Sequence, residues 1–221
     1  MSDREKRAAA EAAAELVPDG ARVGLGTGTT VAYLLPALAR RGLEIRCVAT
    51  SPATERAALA AGLSVEPFDH LDELDIAVDG ADQVAPDGWL IKGGGGAHTR
   101  EKVVAAAARR FVVIIGSGKE VEALRPPVPV ELLAFGLEAT LRAFPEARVR
   151  AEGEASPDGG VIADLYEFDL TDPGKAAARL DATPGVLGHG LFPPALVAEV
   201  LVGRGDEVER LTISKDARES P

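Results

Sequence analysis

One cysteine, Cys47, stands in a chain of 221 residues, so no disulfide can close within it and a reducing compartment is expected. It lies in the apolar stretch 45–49, where a thiol reads as a small buried hydrophobe rather than a nucleophile. Histidine is almost as scarce. His70, His98 and His189 are scattered with no ligand spacing and no cysteine beside them, so neither a metal site nor a cofactor is expected. Positive charge is in deficit, 24 Lys and Arg against 35 Asp and Glu for a net −11, which argues against nucleic acid as a partner. An anionic small molecule stays open, because main-chain N–H groups and two or three lysines can hold a phosphate on an acidic protein. No apolar run approaches the length of a membrane span. The charged, then alanine-rich start lacks the basic opening and apolar centre of a secretory signal. These absences leave a cytoplasmic protein of one large or two unequal domains, 46% apolar and so able to fill a core.

What is present is a regular alternation. Ser2 with Glu5 fits a capping box and predicts a helix over 3–16. A strand at Arg22–Leu25 runs into Gly26-Thr27-Gly28-Thr29-Thr30, and a helix over 31–40 closes at Gly42. Strands are expected at 45–49, 63–66 and 75–79, with a helix from Ser51 to Ala61 between the first two. Pro86-Asp87-Gly88 turns a hairpin between 83–84 and 89–91. A helix over 97–109, a strand over 111–115 and a short helix over 120–124 follow. Strands alternating with helices predict a doubly wound, mostly parallel α/β sheet with helices on both faces. The proline cluster 125–129 marks a boundary. Beyond it a helix (134–144), strands (147–151, 161–166), a helix (172–180) and a strand (186–191) predict a smaller α+β domain. The expected division is 1–125 with 198–221, and 126–197. Two apolar runs in 197–213 suggest a return to the first domain. No internal repeat is present.

Three segments carry groups suited to chemistry. In the first, a strand feeds Gly26-Thr27-Gly28-Thr29-Thr30 and a helix opens behind it. Unpaired first-turn N–H groups and the helix dipole favour an anion there; the competing reading is a tight turn with a threonine cap. It is neither a P-loop, lacking Lys before Ser/Thr, nor a dinucleotide site, because the second strand ends at Ala49-Thr50-Ser51 without an acidic residue. The second is Asp79-Gly80-Ala81-Asp82, just past a strand's C-terminal end, where open α/β sheets bind ligands. Its carboxylates read either as convergent site groups or as turn and cap residues. The third is Lys92-Gly93-Gly94-Gly95-Gly96-Ala97-His98-Thr99-Arg100-Glu101. Four glycines cost backbone entropy, accepted where the main chain must come close to something, and successive N–H groups can make an anion-binding concavity. A glutamate, a lysine and such a concavity together are what proton abstraction next to a carbonyl requires. Taken singly, Glu101 reads as complementing the helix dipole, His98 as a solvated or packing residue, and Lys119 as a surface lysine.

Taken in order, GLGTGTT, Thr50-Ser51-Pro52-Ala53-Thr54, DIAVDGADQV, IKGGGGAHTREK, Lys119, PVPVE and TPGVLGHGLF resemble the type A ribose-5-phosphate isomerases from about residue 20 to 192. The resemblance implies a Rossmann-like doubly wound domain with a smaller α+β domain that makes oligomer contacts, as a homodimer or dimer of dimers. It implies interconversion of D-ribose 5-phosphate and D-ribulose 5-phosphate in the non-oxidative pentose phosphate pathway, through an enediolate and without metal or cofactor. By motif, Glu101 moves the proton between C2 and C1, while Asp79 and Asp82 assist ring opening and hydroxyl proton transfer. Lys92 with the N–H groups of Gly93, Gly94 and Gly95 stabilises the enediolate. Thr27, Gly28, Thr29 and Thr30 hold the phosphate, Gly80 and Ala81 line the substrate, Lys119 binds it, and Lys6 reaches the phosphate from the first helix. The family's aspartate before Lys119 is absent from Gly116-Ser117-Gly118, and Gly96 and His98 stand where alanine and leucine are more usual. Related expectations are an amino-sugar-phosphate deaminase, an acyl-CoA transferase, or a sugar-phosphate sensor. About 20 residues before the first strand are too few for the sensor's helix-turn-helix.

Overall fold

A computed structural model describes residues 2–71, 73–151 and 155–213. Helix α1 (Asp3–Glu15) begins at the expected capping box, the Ser2 hydroxyl accepting from Glu5 N–H and the Glu5 carboxylate from Ser2 N–H. Its buried face is Ala9, Ala10, Ala13 and Ala14, side chains small enough to let the helix lie close against a sheet. β1 (Arg22–Leu25) follows, then α2 (Val31–Arg41), which Gly42 ends in the left-handed conformation. β2 (Arg46–Ala49), α3 (Pro52–Ala60), β3 (Ser64–Val65) and β4 (Ile76–Asp79) continue the alternation. The hairpin β5 (Gln83–Val84) and β6 (Leu90–Ile91) is where the turn signal put it. Then come α4 (His98–Ala107), β7 (Phe111–Gly116), β8 (Val128–Leu132), α5 (Leu137–Leu141), β9 (Ala147–Val149) and β10 (Val161–Leu165). α6 (Pro173–Asp181), β11 (Val186–His189), β12 (Leu191–Phe192) and the hairpin β13 (Val197–Arg204) and β14 (Glu207–Thr212) complete the order.

The main sheet has seven strands in the order β14-β13-β7-β4-β1-β2-β3, all parallel except the edge strand β14. Both faces are covered. Val112 and Ile114 of β7 pack toward α1, α2 and α3, while Val113 and Ile115 pack toward Val104 and Ala105 of α4. A strand buried on both sides must be apolar at every position, which is why FVVII is unbroken. Strand order reverses between β1 and β4, so the loops after these two strands open side by side at the sheet's carboxyl edge, the usual ligand position in such sheets. A second sheet, β11-β8-β10-β9, is antiparallel and packs on α5 and α6. A third, β12-β6-β5, joins the late chain to the early hairpin.

Three expectations about elements need correction, and one feature of the boundary region was not foreseen: β8 starts within the proline cluster and runs through Pro129. A proline without an N–H is tolerated there because the partner side is served by its carbonyl, which accepts from Gly190 N–H at 2.7 Å. The short helix expected at 120–124 is replaced by a turn at Ser117–Lys119 and extended chain that pairs with β5, Val121 N–H donating to Val84 O. The helix expected over 134–144 shrinks to α5 because Gly136 takes φ +72°. The strand expected over 186–191 divides at Gly190 into β11 and β12, which belong to different sheets. Residues 214–221, assigned above with the first segment, lie outside the described residues. Cys47 is buried, and burial pushes its thiol up to about 12, so it stays protonated. Among the described residues no helix is long and apolar enough to cross a membrane.

One close approach ties α1 to the sheet: a Cβ on Gly203 would stand 2.0 Å from the Glu5 carbonyl oxygen. Backbone cannot yield there as a side-chain tip would. Gly203→Ala is therefore expected to destabilise by about 1–3 kcal/mol, a fall in Tm of roughly 3–10 °C, read by calorimetry.

Candidate active site

The carboxyl edge gathers three segments. After β1, Gly26 N–H bonds the Val78 carbonyl at 2.9 Å and Thr27 N–H donates to Asp79 Oδ1 at 3.1 Å. Glycine is required at position 26, since a Cβ would lie 1.9 Å from the Asp79 carboxyl carbon. The Thr27 hydroxyl is held by Thr50 and Thr54, at 2.8 and 3.3 Å. Thr50 and Thr54 were quoted above only as part of a resembling motif; their position past the end of β2 was the available sign that they would reach this loop. Gly28, Thr29 and Thr30 lead into α2, where Ala32 N–H already donates to the Gly28 carbonyl and Tyr33 N–H to the Thr30 carbonyl, both at 3.1 Å, which leaves the N–H groups of the turn itself to face an anion. The Thr30 side chain makes no capping bond, which removes the threonine-cap reading.

Lys92 follows β6, and its main chain is fixed from the late chain by Lys92 N–H donating to Gly190 O at 2.8 Å. Only glycine fits at 190, because a Cβ would stand 2.1 Å from the Lys92 carbonyl oxygen. The Lys92 ammonium reaches inward between two carboxylates, 2.8 Å from Asp79 Oδ2 and 3.1 Å from Glu101 Oε2, and donates to the Gly80 carbonyl. Asp79, Lys92 and Glu101 are 3%, 2% and 4% exposed. Burial pushes Asp79 up, against the pull of Lys92 and of the Gly80 and Thr27 N–H groups. Burial would lower Lys92, but Asp79 and Glu101 outweigh it and hold the ammonium well above its usual range. Burial first, and then the Asp79 charge, raise Glu101 to about 8. Glu101 Oε2 makes no aligned hydrogen bond despite its nearness to Lys92. One buried carboxyl is thus left to gain or lose a proton near neutral pH, beside a permanently charged lysine.

Thr27, Gly28, Thr29 and Thr30, Gly80, Ala81 and Asp82, Lys92, Gly93, Gly94 and Gly95, Glu101 and Lys119 all line one cleft of about 290 Å³. Asp79 differs from the expectation: it lies behind Lys92, its oxygens occupied by Thr27 N–H, Gly80 N–H and the ammonium. Of the two aspartates, Asp82 is the one that lines the cleft. Its Oδ2 accepts from Gly94 N–H at 2.8 Å and its Oδ1 lies 3.8 Å from Lys119 Nζ. Gly94 N–H is therefore engaged by Asp82 rather than free for a ligand. Lys6 does not line the cleft; its ammonium pairs with Asp3 at 3.4 Å. His98 is buried rather than solvated, packed against Gly93, with burial lowering it to about 3 so that its ring is neutral. Among the described residues no group of three or more His, Cys, Asp or Glu is disposed to hold a metal ion.

A titrating carboxylate and a charged lysine in a small cleft rimmed by a helix N-terminus suit intramolecular proton transfer on a small anionic substrate. That is the chemistry of an aldose–ketose isomerase, and relatives give the class a family. The family model for ribose 5-phosphate isomerase A (phosphoriboisomerase A) matches residues 46–207. Ribose-5-phosphate isomerase A of Caulobacter vibrioides is 43% identical over 224 residues, covering 95% of this chain and 98% of the relative. The crystal structure of ribose 5-phosphate isomerase A from Neisseria gonorrhoeae superposes with a TM-score of 0.92 at 29% identity, over 97% of this chain and 99% of that one. A D-ribose-5-phosphate isomerase solved in complex with phospho-erythronic acid superposes with a TM-score of 0.87 at 32% identity, over 96% of this chain and all 100% of that one. The chain belongs to the ribose 5-phosphate isomerase A family. Membership favours the isomerase expectation over the deaminase, CoA-transferase and sensor expectations.

Because the Asp79 charge helps raise Glu101, Asp79→Asn is expected to bring the Glu101 carboxyl down from about 8. Carbon-13 NMR of labelled glutamate reads this directly. An unmoved titration would show that burial alone sets the value.

Proposed function

We propose that this chain interconverts D-ribose 5-phosphate and D-ribulose 5-phosphate through an enediolate, with Glu101 as the base. The observation that carries the reading is the placement of Glu101 and Lys92 in one cleft, 3.1 Å apart, below the glycine loop. The phosphate lies at the Gly28-Thr29-Thr30 turn, where the turn's N–H groups and threonine hydroxyls meet it, and Lys119, which lines the same cleft, adds charge. Phospho-erythronic acid, the compound held by the related structure, pairs a phosphate with a carboxylate, which fits a cleft that binds one anion and stabilises a second.

Starting from the aldose, Glu101 takes the proton from C2, and the electron pair moves through C1 onto O1. Lys92 and the loop N–H groups stabilise that oxyanion. Asp82 carries a proton from O2 to O1, and Glu101 returns its proton to C1, giving the ketose with no net change in the enzyme. Asp82 also serves ring opening, while Asp79 acts from behind by holding Lys92 charged and in place. The assembly is a homodimer or dimer of dimers in the cytoplasm, acting in the non-oxidative pentose phosphate pathway. Of the described residues, those up to 125 and those from 198 to 213 form the catalytic domain and those from 126 to 197 the smaller one. Phe135, 88% exposed, with exposed Leu133 and Leu187, gives the smaller domain apolar surface for subunit contacts.

Purified protein is expected to convert ribose 5-phosphate in excess chelator. Glu101→Gln is expected to lower kcat by about a thousandfold while leaving competitive inhibition by inorganic phosphate intact; activity within tenfold of the parent would remove Glu101 as the base.

The base works only when deprotonated. With Glu101 raised to about 8, kcat/KM is expected to climb about tenfold per pH unit below that value and level above it. The same shift means that Glu101 favours folding below its unfolded value of 4.5 and loses that contribution as pH rises through about 8. Glu101→Gln, fixed in the neutral form, is therefore expected to raise Tm relative to the parent above pH 8. A kcat/KM flat from pH 6 to 9 would contradict the assignment.

A further inference from the structure

Gly94 separates two clefts. On one side is the catalytic cleft; on the other is a cleft of about 390 Å³ whose lining includes Asp82, Gly94, Arg150 and Asp164. The peptide is gripped from both ends. Gly94 N–H donates to Asp82 Oδ2 at 2.8 Å, and the Gly94 carbonyl accepts from Arg150 Nη1 at 3.0 Å. Arg150 comes from the smaller sheet, just beyond β9, and does not line the catalytic cleft.

The guanidinium is itself fixed. Nε and Nη2 donate to the two Asp164 oxygens at 2.8 and 2.7 Å, a planar fork onto a planar carboxylate. Asp164 sits on β10, where it is paired with Arg148 of β9 and Pro129 of β8. Both side chains are largely buried, 17% and 15% exposed. The third arm of the fork then reaches a loop of four consecutive glycines, two of which, Gly93 and Gly96, have positive φ. Such a loop has no side chains of its own to restrict it.

We propose that Arg150, anchored by Asp164, is a positioning residue for the catalytic glycine loop. It holds the Gly94 carbonyl so that Asp82 and the loop N–H groups keep their places around the enediolate. It touches neither substrate nor reacting atom. The smaller sheet thereby contributes directly to turnover. The inference deepens the isomerase reading and rests on it for the kinetic arm of its test.

Steady-state kinetics and amide hydrogen exchange of residues 93–96 by mass spectrometry, on the full chain, decide it. Arg150→Met keeps the stem and removes the fork. It is expected to lower kcat by about tenfold to a hundredfold with KM little changed, and to speed exchange at 93–96. Arg150→Lys, which reaches Gly94 without gripping Asp164 as a fork, is expected to fall between. If Arg150→Met does not fold, Asp164→Asn decides, since it leaves Arg150 in place and weakens only its anchor; the same two changes are expected. Parental kcat in either folded variant overturns the proposal, as do a change confined to KM and unaltered exchange at 93–96. The parent assayed alongside separates the two readings. No turnover by the parent refutes the isomerase assignment, and exchange at 93–96 still shows whether Arg150 holds the loop.

Discussion

A buried ammonium between two buried carboxylates is the constraint on which the site depends. Desolvating three ionisable groups is costly, and removing Lys92 would leave two buried carboxylates without a counter-charge, typically a loss of about 3–5 kcal/mol. Here Lys92 is charged because Asp79 and Glu101 surround it, and Asp79 is further held by two main-chain N–H groups. The set carries one negative charge more than it can balance. Burial raises both carboxylates, and Glu101, whose Oε2 makes no aligned hydrogen bond, is the one that lines the cleft and can pass a proton to a ligand there. Structure and reactivity thus share one cause: the burial that would neutralise an isolated pair leaves a third group poised near neutral pH.

Holding those charges together demands main chain where side chains would normally be. Gly26 passes against the Asp79 carboxyl, and Gly190 passes against the Lys92 carbonyl. Gly94 lies against Asp82, where a Cβ would come within 2.9 Å of Oδ1. Each brings a segment from a different part of the chain to within hydrogen-bonding reach of a charged residue. The loop after β1 comes from the start of the sheet and Gly190 from the strand that crosses back to β6. The site is a meeting of the main sheet's edge with late-chain segments, not a property of the β4 and α4 ends alone.

The parallel sheet was legible because the physics behind it is local. Alternating apolar runs and glycine-terminated helices show in Arg22–Leu25, in FVVII and at Gly42, and the capping box at Ser2 and Glu5 needs nothing beyond its own first turn. The misreadings had tertiary causes. The chain at 120–124 has helical composition, yet the open edge of β5 draws Glu120 and Val121 into a bridge and the chain bends at 122–123. At Gly136 a positive φ, which no sequence pattern declares in advance, cuts a helix to five residues.

The sequence by itself determined which residues can do chemistry: the Asp79-Gly80-Ala81-Asp82 turn, Lys92 and its glycines, Glu101 and the threonine loop, all marked by residue type and by position at element ends. Only the tertiary structure decided their division of labour. It put Asp79 behind Lys92, turned Asp82 to the cleft, buried His98 under Gly93 and brought Arg150 to Gly94. The reason is physical. Residue type fixes what a group can donate, accept or ionise, whereas its charge state and reach depend on which atoms of distant segments exclude water around it.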